Sequence, residues 1–471
     1  MDLPRMDRRA FVKRLIASGA VCATGGYSGL AHAGFAAVNR PILADLMLLG
    51  GPDLRHLMPP AYDSNTSSFG HRYWKARHRS HGLGALTGEW KSRWDDDYFH
   101  CSSGGTSFGI LRKAGWLYDM WSAGHVAVVP NSFGGQSRDH EHCTLVLDQG
   151  NLSSGPNDHG RSGWGGRLGQ VLGTGVTSLT VTPRPFCYGP LGSDPEGSTD
   201  VAVIGASDTR RMGLFYPPSN WDSRWDSRAR LGRGLAAYYA EKDRTMRAGA
   251  RQRRLVDLER KTRQFGEAVN DRLASVPLPS ELVSLYSGDA PLNNTNFGLQ
   301  VRNLHDALAC NDILDLRVTS LEYGNWDSHK DQRAMIEPNF EDIFGRGKGL
   351  SQLYATLPAD ARANLVIVVA GEFGRQIIDN GDQGSEHGLG NSVLVIGEPV
   401  NGGVYGTLFP ASEIAKLDSG HWGPDIDGLT AFDHTFGRVA DWMQSGAGAQ
   451  VFPNRASRPL EAGVNLAGMF A

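Results

Sequence analysis

The sequence has no Cys-x-x-Cys pair and only five cysteines in 471 residues. That argues against a thiolate zinc knuckle. It also lacks an excess of either charge. Lys and Arg number 47 against 50 Asp and Glu, a net charge of −3, so the whole molecule makes no electrostatic case for nucleic acid or an anionic membrane as partner. Long apolar runs are missing too. The weakly apolar stretch Leu15 to Ala33 is broken by Gly25, Gly26 and Tyr27 and falls short of the ~20 residues that a membrane span needs. No later segment is long or apolar enough to span.

What is present begins with Arg8 and Arg9. The run Asp7-Arg-Arg-Ala-Phe-Val-Lys13 matches the twin-arginine export consensus closely, and Ala31-His32-Ala33 offers small residues around a peptidase cut. An Arg pair opening an ordinary amphipathic helix would not be followed by a Gly-rich apolar stretch and a small-x-small site. Residues 1–33 therefore read as a twin-arginine signal cleaved after Ala33, with the translocase as partner during export and a periplasmic or secreted product. Twin-arginine substrates fold before they cross, often to load a metal or cofactor, which tilts the reading toward a metal- or cofactor-dependent enzyme. Cys22 leaves with the signal. Cys101, Cys143, Cys187 and Cys310 remain, and an oxidising compartment permits up to two disulfides in three pairings or none at all.

The mature chain, 34–471, is long enough for one large or two average domains, and its 60 glycines imply many turns and loops. Short runs of Val, Ile and Leu alternate with helical patterns, which predicts an α/β fold with a mostly parallel sheet and helices on both faces. Strands are expected at Leu46 to Leu49, His125 to Pro130, Leu179 to Val181, Val201 to Ile204, Leu316 to Leu321, Leu365 to Ala370 and Val393 to Ile396. Helices are expected at Ser107 to Ser122 and Trp164 to Leu172. Arg224 to Arg263 carries thirteen Lys or Arg and five Asp or Glu. It reads as a solvated helical face with interspersed ion pairs, or as a lid or docking surface for an acidic partner.

Ligands of parallel sheets gather beyond the carboxyl ends of strands, and three elements lie there. Asp327-Ser-His329 presents a carboxylate and an imidazole two residues apart, one oxygen and one nitrogen for a divalent ion. Glu372-Phe-Gly-Arg375 puts an acid and a cation just beyond the most apolar strand. Glu386-His387-Gly-Leu-Gly-Asn391 sets a histidine in a Gly-rich loop. Singly each is as well explained by a local salt bridge or a solvated loop; together they are far more specific.

In that order, with Gly50-Gly51-Pro52 after the first strand, His125-Val-Ala-Val-Val129, Ser162-Gly-Trp-Gly-Gly-Arg167 and Gly402-Gly403, the chain resembles the domain-of-unknown-function 1501 family. Members typically carry a twin-arginine signal and are similar to the alkaline phosphatase and sulfatase superfamily. The resemblance implies one domain over 34–471, a three-layer alkaline-phosphatase-like sandwich, with the Arg-rich stretch at about 220–270 as a helical insertion. It implies one or two divalent metals, with zinc, manganese or iron suiting these ligands, and an anionic phosphate or sulfate ester as substrate. Carried over, Asp327, His329 and His387 form one metal site and Glu372 holds a second ion, while Arg375 forks onto ester oxygens. Asp53, or His56, supplies the early ligand. Phe373 stands where phosphatases usually have a histidine. At the nucleophile position the chain reads Asp139-His140 where family members commonly show Ser-His. Ser137 substitutes, or Asp139 is a ligand, or no covalent step exists; Asp139, His140 and His142 also make a candidate cluster of their own. Two functions follow: a metal-dependent ester hydrolase, or a superfamily member that has lost catalysis and serves in binding or assembly.

Overall fold

Ile42–Leu48, apolar but for Asp45, forms a strand buried at every position. Alternation decides where its side chains go. Ile42, Ala44, Leu46 and Leu48 enter one apolar cluster, while Leu43 and Met47 enter another. Such a strand needs cover on both faces, and each fully buried aliphatic side chain contributes ~1.5–3 kcal/mol. The computed structural model describes residues 34–135, 137–189, 201–211, 227–245, 253–288, 290–418 and 425–470. The expected export signal lies outside the described residues.

The described strands are, in chain order, β1 (Ile42–Leu48), β2 (Tyr98–Ser103), β3 (Thr106–Leu111), β4 (Val126–Phe133), β5 (Val176–Ser178), β6 (Val203–Gly205), β7 (Val318–Tyr323), β8 (Leu365–Gly371), β9 (Asn391–Ile396), β10 (Gly403–Val404) and β11 (Thr430–Ala431). The central sheet has the order β10-β4-β9-β8-β1-β7-β5-β6, with β11 also on β4. All neighbours are parallel except β9, which runs against both β8 and β4. Helices cover both faces. Phe69–Arg77, Thr295–Ala309 and Gln332–Phe344 bring Trp74, Phe297, Val301 and Phe340 to one cluster. Trp164–Leu172 and Phe432–Met443 bring Trp164, Leu168, Phe436 and Val439 to the other. The result is an α/β arrangement consistent with a three-layer sandwich. The strands expected to end near Leu49, Val129, Leu321, Ala370 and Ile396 share this one sheet.

Three local expectations are corrected. Ser107 to Ser122 is helical only from Gly115, because Gly104 and Gly105, with φ of 55° and 81°, close a tight hairpin turn that pairs Thr106–Leu111 with Tyr98–Ser103. The strand placed at Leu179 to Val181 lies three residues earlier, at β5, where Val176 and Thr177 pair with Val318 and Thr319. β7 runs two residues beyond Leu321, to Tyr323. In the Arg-rich stretch, helices Ser227–Thr245 and Arg253–Ser275 are joined by Arg253 and Arg260 onto Asp243 and Asp257. The four cysteines are all free. Among the described residues no helix is long and apolar enough to cross a membrane.

Candidate functional site

The reversed strand β9 explains how the three motifs meet. Asp327 and Glu372 follow parallel strands and emerge at the carboxyl edge. His387 precedes its strand, and in a parallel strand it would lie at the opposite edge. Because β9 is antiparallel, its beginning returns to the edge where β7 and β8 end. The intervening segment folds back on itself: Arg375 bridges His387, Gln376 N–H donates to Glu386 O at 2.9 Å and Gly388 N–H to Gly374 O at 2.7 Å.

Asp327 is the centre of the cluster. Its Oδ1 lies 2.9 Å from His329 Nε2 and 3.0 Å from His387 Nε2, and the two Nε2 atoms are 2.9 Å apart. Its Oδ2 lies 3.5 Å from His140 Nε2. His140, Asp327 and His387 offer ligand atoms all within 4.8 Å of one another. In each imidazole the other nitrogen faces an acceptor. His387 Nδ1 is 2.8 Å from Arg138 O, His329 Nδ1 is 3.1 Å from a Glu386 oxygen, and His140 Nδ1 is 2.8 Å from Glu372 Oε1. A carbonyl or carboxylate only accepts, so each Nδ1 carries a hydrogen and each Nε2 is the ring atom left facing Asp327. Deprotonated, these Nε2 atoms and the carboxylate would repel one another unless a cation, a metal ion or a proton, lay among them. Histidine metal ligands are oriented in this way, by a carboxylate or carbonyl behind the ring.

The charges agree with that geometry. Burial would raise Asp327, but the hydrogen bond from Arg375 leads a set of contacts that bring it down to about 2. Burial holds His387 below the ordinary imidazole range. His140 is raised, chiefly by its hydrogen bond to Glu372, so a proton competes with a cation for its Nε2. The cluster is open to solvent, with 46% of the Asp327 side chain exposed. Phe373 packs its ring against His140 and His387 at 4.9 and 4.6 Å. Gly50, with φ of 118°, lies so close that a Cβ there would sit 2.7 Å from Asp327 N.

Several sequence assignments change. Arg375 has no exposed surface and no spare face for an ester. Its guanidinium donates to Gly51 O, Gly50 O, Ser385 O, Trp326 O and Asp327 Oδ1 at 2.6–3.1 Å, which makes it a positioning residue. Glu372, also buried, accepts from Gly50 N–H and His140 through one oxygen, so it braces an imidazole where a second ion was expected; its Oε2 has no partner. Asp53 lies apart from the cluster, capping the helix Leu54–Leu57 and paired with Arg77 and Gln332. His56, the alternative early ligand, is paired with Glu337. Asp139 caps the helix His140–Gln149 by accepting from His142 N–H, the Ser137 hydroxyl accepts from Asp139 N–H, and His142 Nε2 faces Ser154 O. Of Ser137, Asp139, His140 and His142, only His140 reaches the cluster. Sequence reasoning missed Glu386 as a brace; its place one residue before His387 was the available signal. Asn380 holds it in turn, donating to Glu386 Oε1 and to His329 O.

An α/β sandwich with three imidazoles and a carboxylate at the carboxyl edge of its sheet is thus the class that fold and site define. Residues 281–415 match the family model described as Protein of unknown function (DUF1501). The match takes in β7, β8 and β9 with Asp327, His329 and His387, and leaves His140 outside. No curated protein matches the chain.

Proposed function

We propose that Asp327, His140, His329 and His387 hold one divalent cation, and that the chain is an exported metal-dependent hydrolase of phosphate or sulfate esters. The observation that carries the metal reading is the convergence of three Nε2 atoms on one carboxylate, each ring braced from behind by an acceptor. A bound cation supplies Lewis acidity toward an ester oxygen and lowers the pKa of water. The chain's own residues do the rest. Glu372, Glu386 and the Arg138 carbonyl orient the rings, Arg375 fixes Asp327, and Phe373 keeps one side of the imidazoles dry. With Glu372 engaged through Oε1 by Gly50 and His140 and Asp53 apart from the cluster, we assign one ion to this residue set. Three nitrogens and one oxygen suit iron or manganese with room left for substrate, whereas zinc with four protein ligands is commonly closed and structural. Export through the twin-arginine pathway rests on Arg8-Arg9 and accords with loading a metal before translocation.

One observation favours the non-catalytic reading. The groups expected to handle an ester, Arg375, Asp139 and Ser137, are engaged in holding loops. Metal analysis of protein purified from the periplasm, followed by assays with aryl phosphates, phosphodiesters and aryl sulfates, tests both. The hydrolase reading expects about one equivalent of iron or manganese per chain and turnover lost in His387→Ala. Full zinc loading with no turnover on any ester supports the binding or assembly role.

A further inference from the structure

Beside the cluster lies a cavity of about 470 Å³ whose wall includes Arg79, Arg93, Arg112, Lys113 and Arg333. Its charges do not cancel. Glu337 takes Arg93 Nη2, Lys113 at 3.5 Å and Arg333 at 3.6 Å, and Asp97 takes Arg93 Nη1 and Arg333 at 3.3 Å. With Asp331, three carboxylates face five cations, and the surplus falls on Arg79 and Arg112. Among the described residues, Arg79 has the carbonyl of Gly381 as its side-chain acceptor and no carboxylate. Arg112 lies over the Phe99 ring at 4.8 Å, with a carbonyl, Asp95 O, at 3.5 Å. Arg93, 4% exposed, is held in the wall by Asp97 and Glu337, with the Tyr98 ring 5.1 Å from its guanidinium.

We infer that this cavity is an anion-binding site for a small organic ligand bearing a carboxylate, phosphate or sulfate group. An oxyanion there would offset the surplus charge carried by Arg79 and Arg112. The volume lies in the ~300–1,000 Å³ range of small-molecule sites, larger than a bare inorganic anion fills. Leu111, Ala334 and Pro338 add apolar wall. Asp331 and Gln383 also line it, and Gln383 adjoins Gly384, where a Cβ would sit 2.1 Å from the His329 carbonyl carbon. The site is therefore a neighbour of the metal cluster, built from different side chains, and does not rest on the metal reading.

The test is calorimetric titration of the full protein with glutarate, glycerol 3-phosphate and inorganic sulfate at low and high salt. At least one organic anion is expected to bind, more weakly as salt rises. Arg79→Ala/Arg112→Ala, two exposed positions, should weaken it about tenfold or more with melting temperature and metal content unchanged, and His387→Ala should bind it as the wild type does. No binding of any probe up to about 10 mM, sulfate bound as tightly as the organic anions, or the arginine variant binding normally would overturn the inference. Binding lost in His387→Ala alone would place the anion on the metal cluster and overturn it equally.

Discussion

Arg375→Ala separates a residue that holds the site from one that handles substrate. In the wild type its donors satisfy the carbonyls of Gly50, Gly51, Trp326 and Ser385 and one oxygen of Asp327. Gly51, Trp326 and Ser385 are buried, and a buried acceptor left without a donor costs about 1–3 kcal/mol. The Asp327 carboxylate is 46% exposed, so water replaces part of that lost bond and the ion pair itself counts for less. Summing three full penalties overstates the case, because water enters the space that the guanidinium vacates. A loss of about 3–5 kcal/mol, above one unsatisfied acceptor and below three full penalties, is the expected outcome. It is a large fraction of the ~5–15 kcal/mol that holds a domain together. Urea titration with and without added metal measures it, and metal content should fall along with stability, since Asp327 loses the group that fixes it. Arg375→Lys should restore little, because one ammonium cannot span five acceptors. Wild-type stability and metal content in Arg375→Ala, with only ester affinity reduced, would refute this reasoning and return Arg375 to the substrate.

Four other tests follow from the geometry and the sequence. His329→Ala and His387→Ala should each lower bound metal sharply with the fold intact, and Glu386→Gln should weaken metal binding about 10- to 100-fold by loosening His329, read by competition with a chelator. Asp148 and Asp45 share one buried guanidinium, Arg184, and burial pushes Asp148 up to about 7. Its folded pKa is raised, so the folded state keeps a proton that the unfolded chain gives up, and stability falls as pH rises from about 4 to about 7. The melting temperature of Asp148→Asn relative to wild type should therefore climb between pH 5 and pH 8, and a constant difference would count against the assignment. Arg8→Lys/Arg9→Lys should leave an uncleaved precursor in the cytoplasm; normal export of that variant would show the twin-arginine reading to be wrong.

The sheet was legible because buried strands announce themselves: Leu365–Gly371 and Asn391–Ile396 are apolar enough that only an interior strand accommodates them. Strand direction was not legible. Nothing in Val393 to Ile396 reveals that it runs backward, and the motifs converge only because it does. Asp327, His329 and His387 stood out by spacing and type, whereas His140 was one of several polar residues in a loop that the helix cap at Asp139 later sorted. Arg375 was misassigned because a guanidinium beside a carboxylate looks the same in sequence whether it faces solvent or is filled by four backbone carbonyls and that carboxylate. The Ser107 to Ser122 helix failed where two glycines with positive φ turned half of it into a hairpin.

The reversal of β9 has a consequence for how this site can vary. Glu372–Gly390 leaves the sheet from β8 and re-enters on the adjacent strand, so its two ends are pinned side by side by β8–β9 pairing. A segment anchored in this way can change length at little thermodynamic cost, about 0.6 kcal/mol for each doubling, and the strands beneath it need not shift. Insertions around Asp379 to Gln383, between the inner pairs and the tip, would reshape the approach to His329 and His387 while leaving Arg375 seated. Related chains can therefore differ in what they admit to the cluster through this one excursion, over an unchanged sheet.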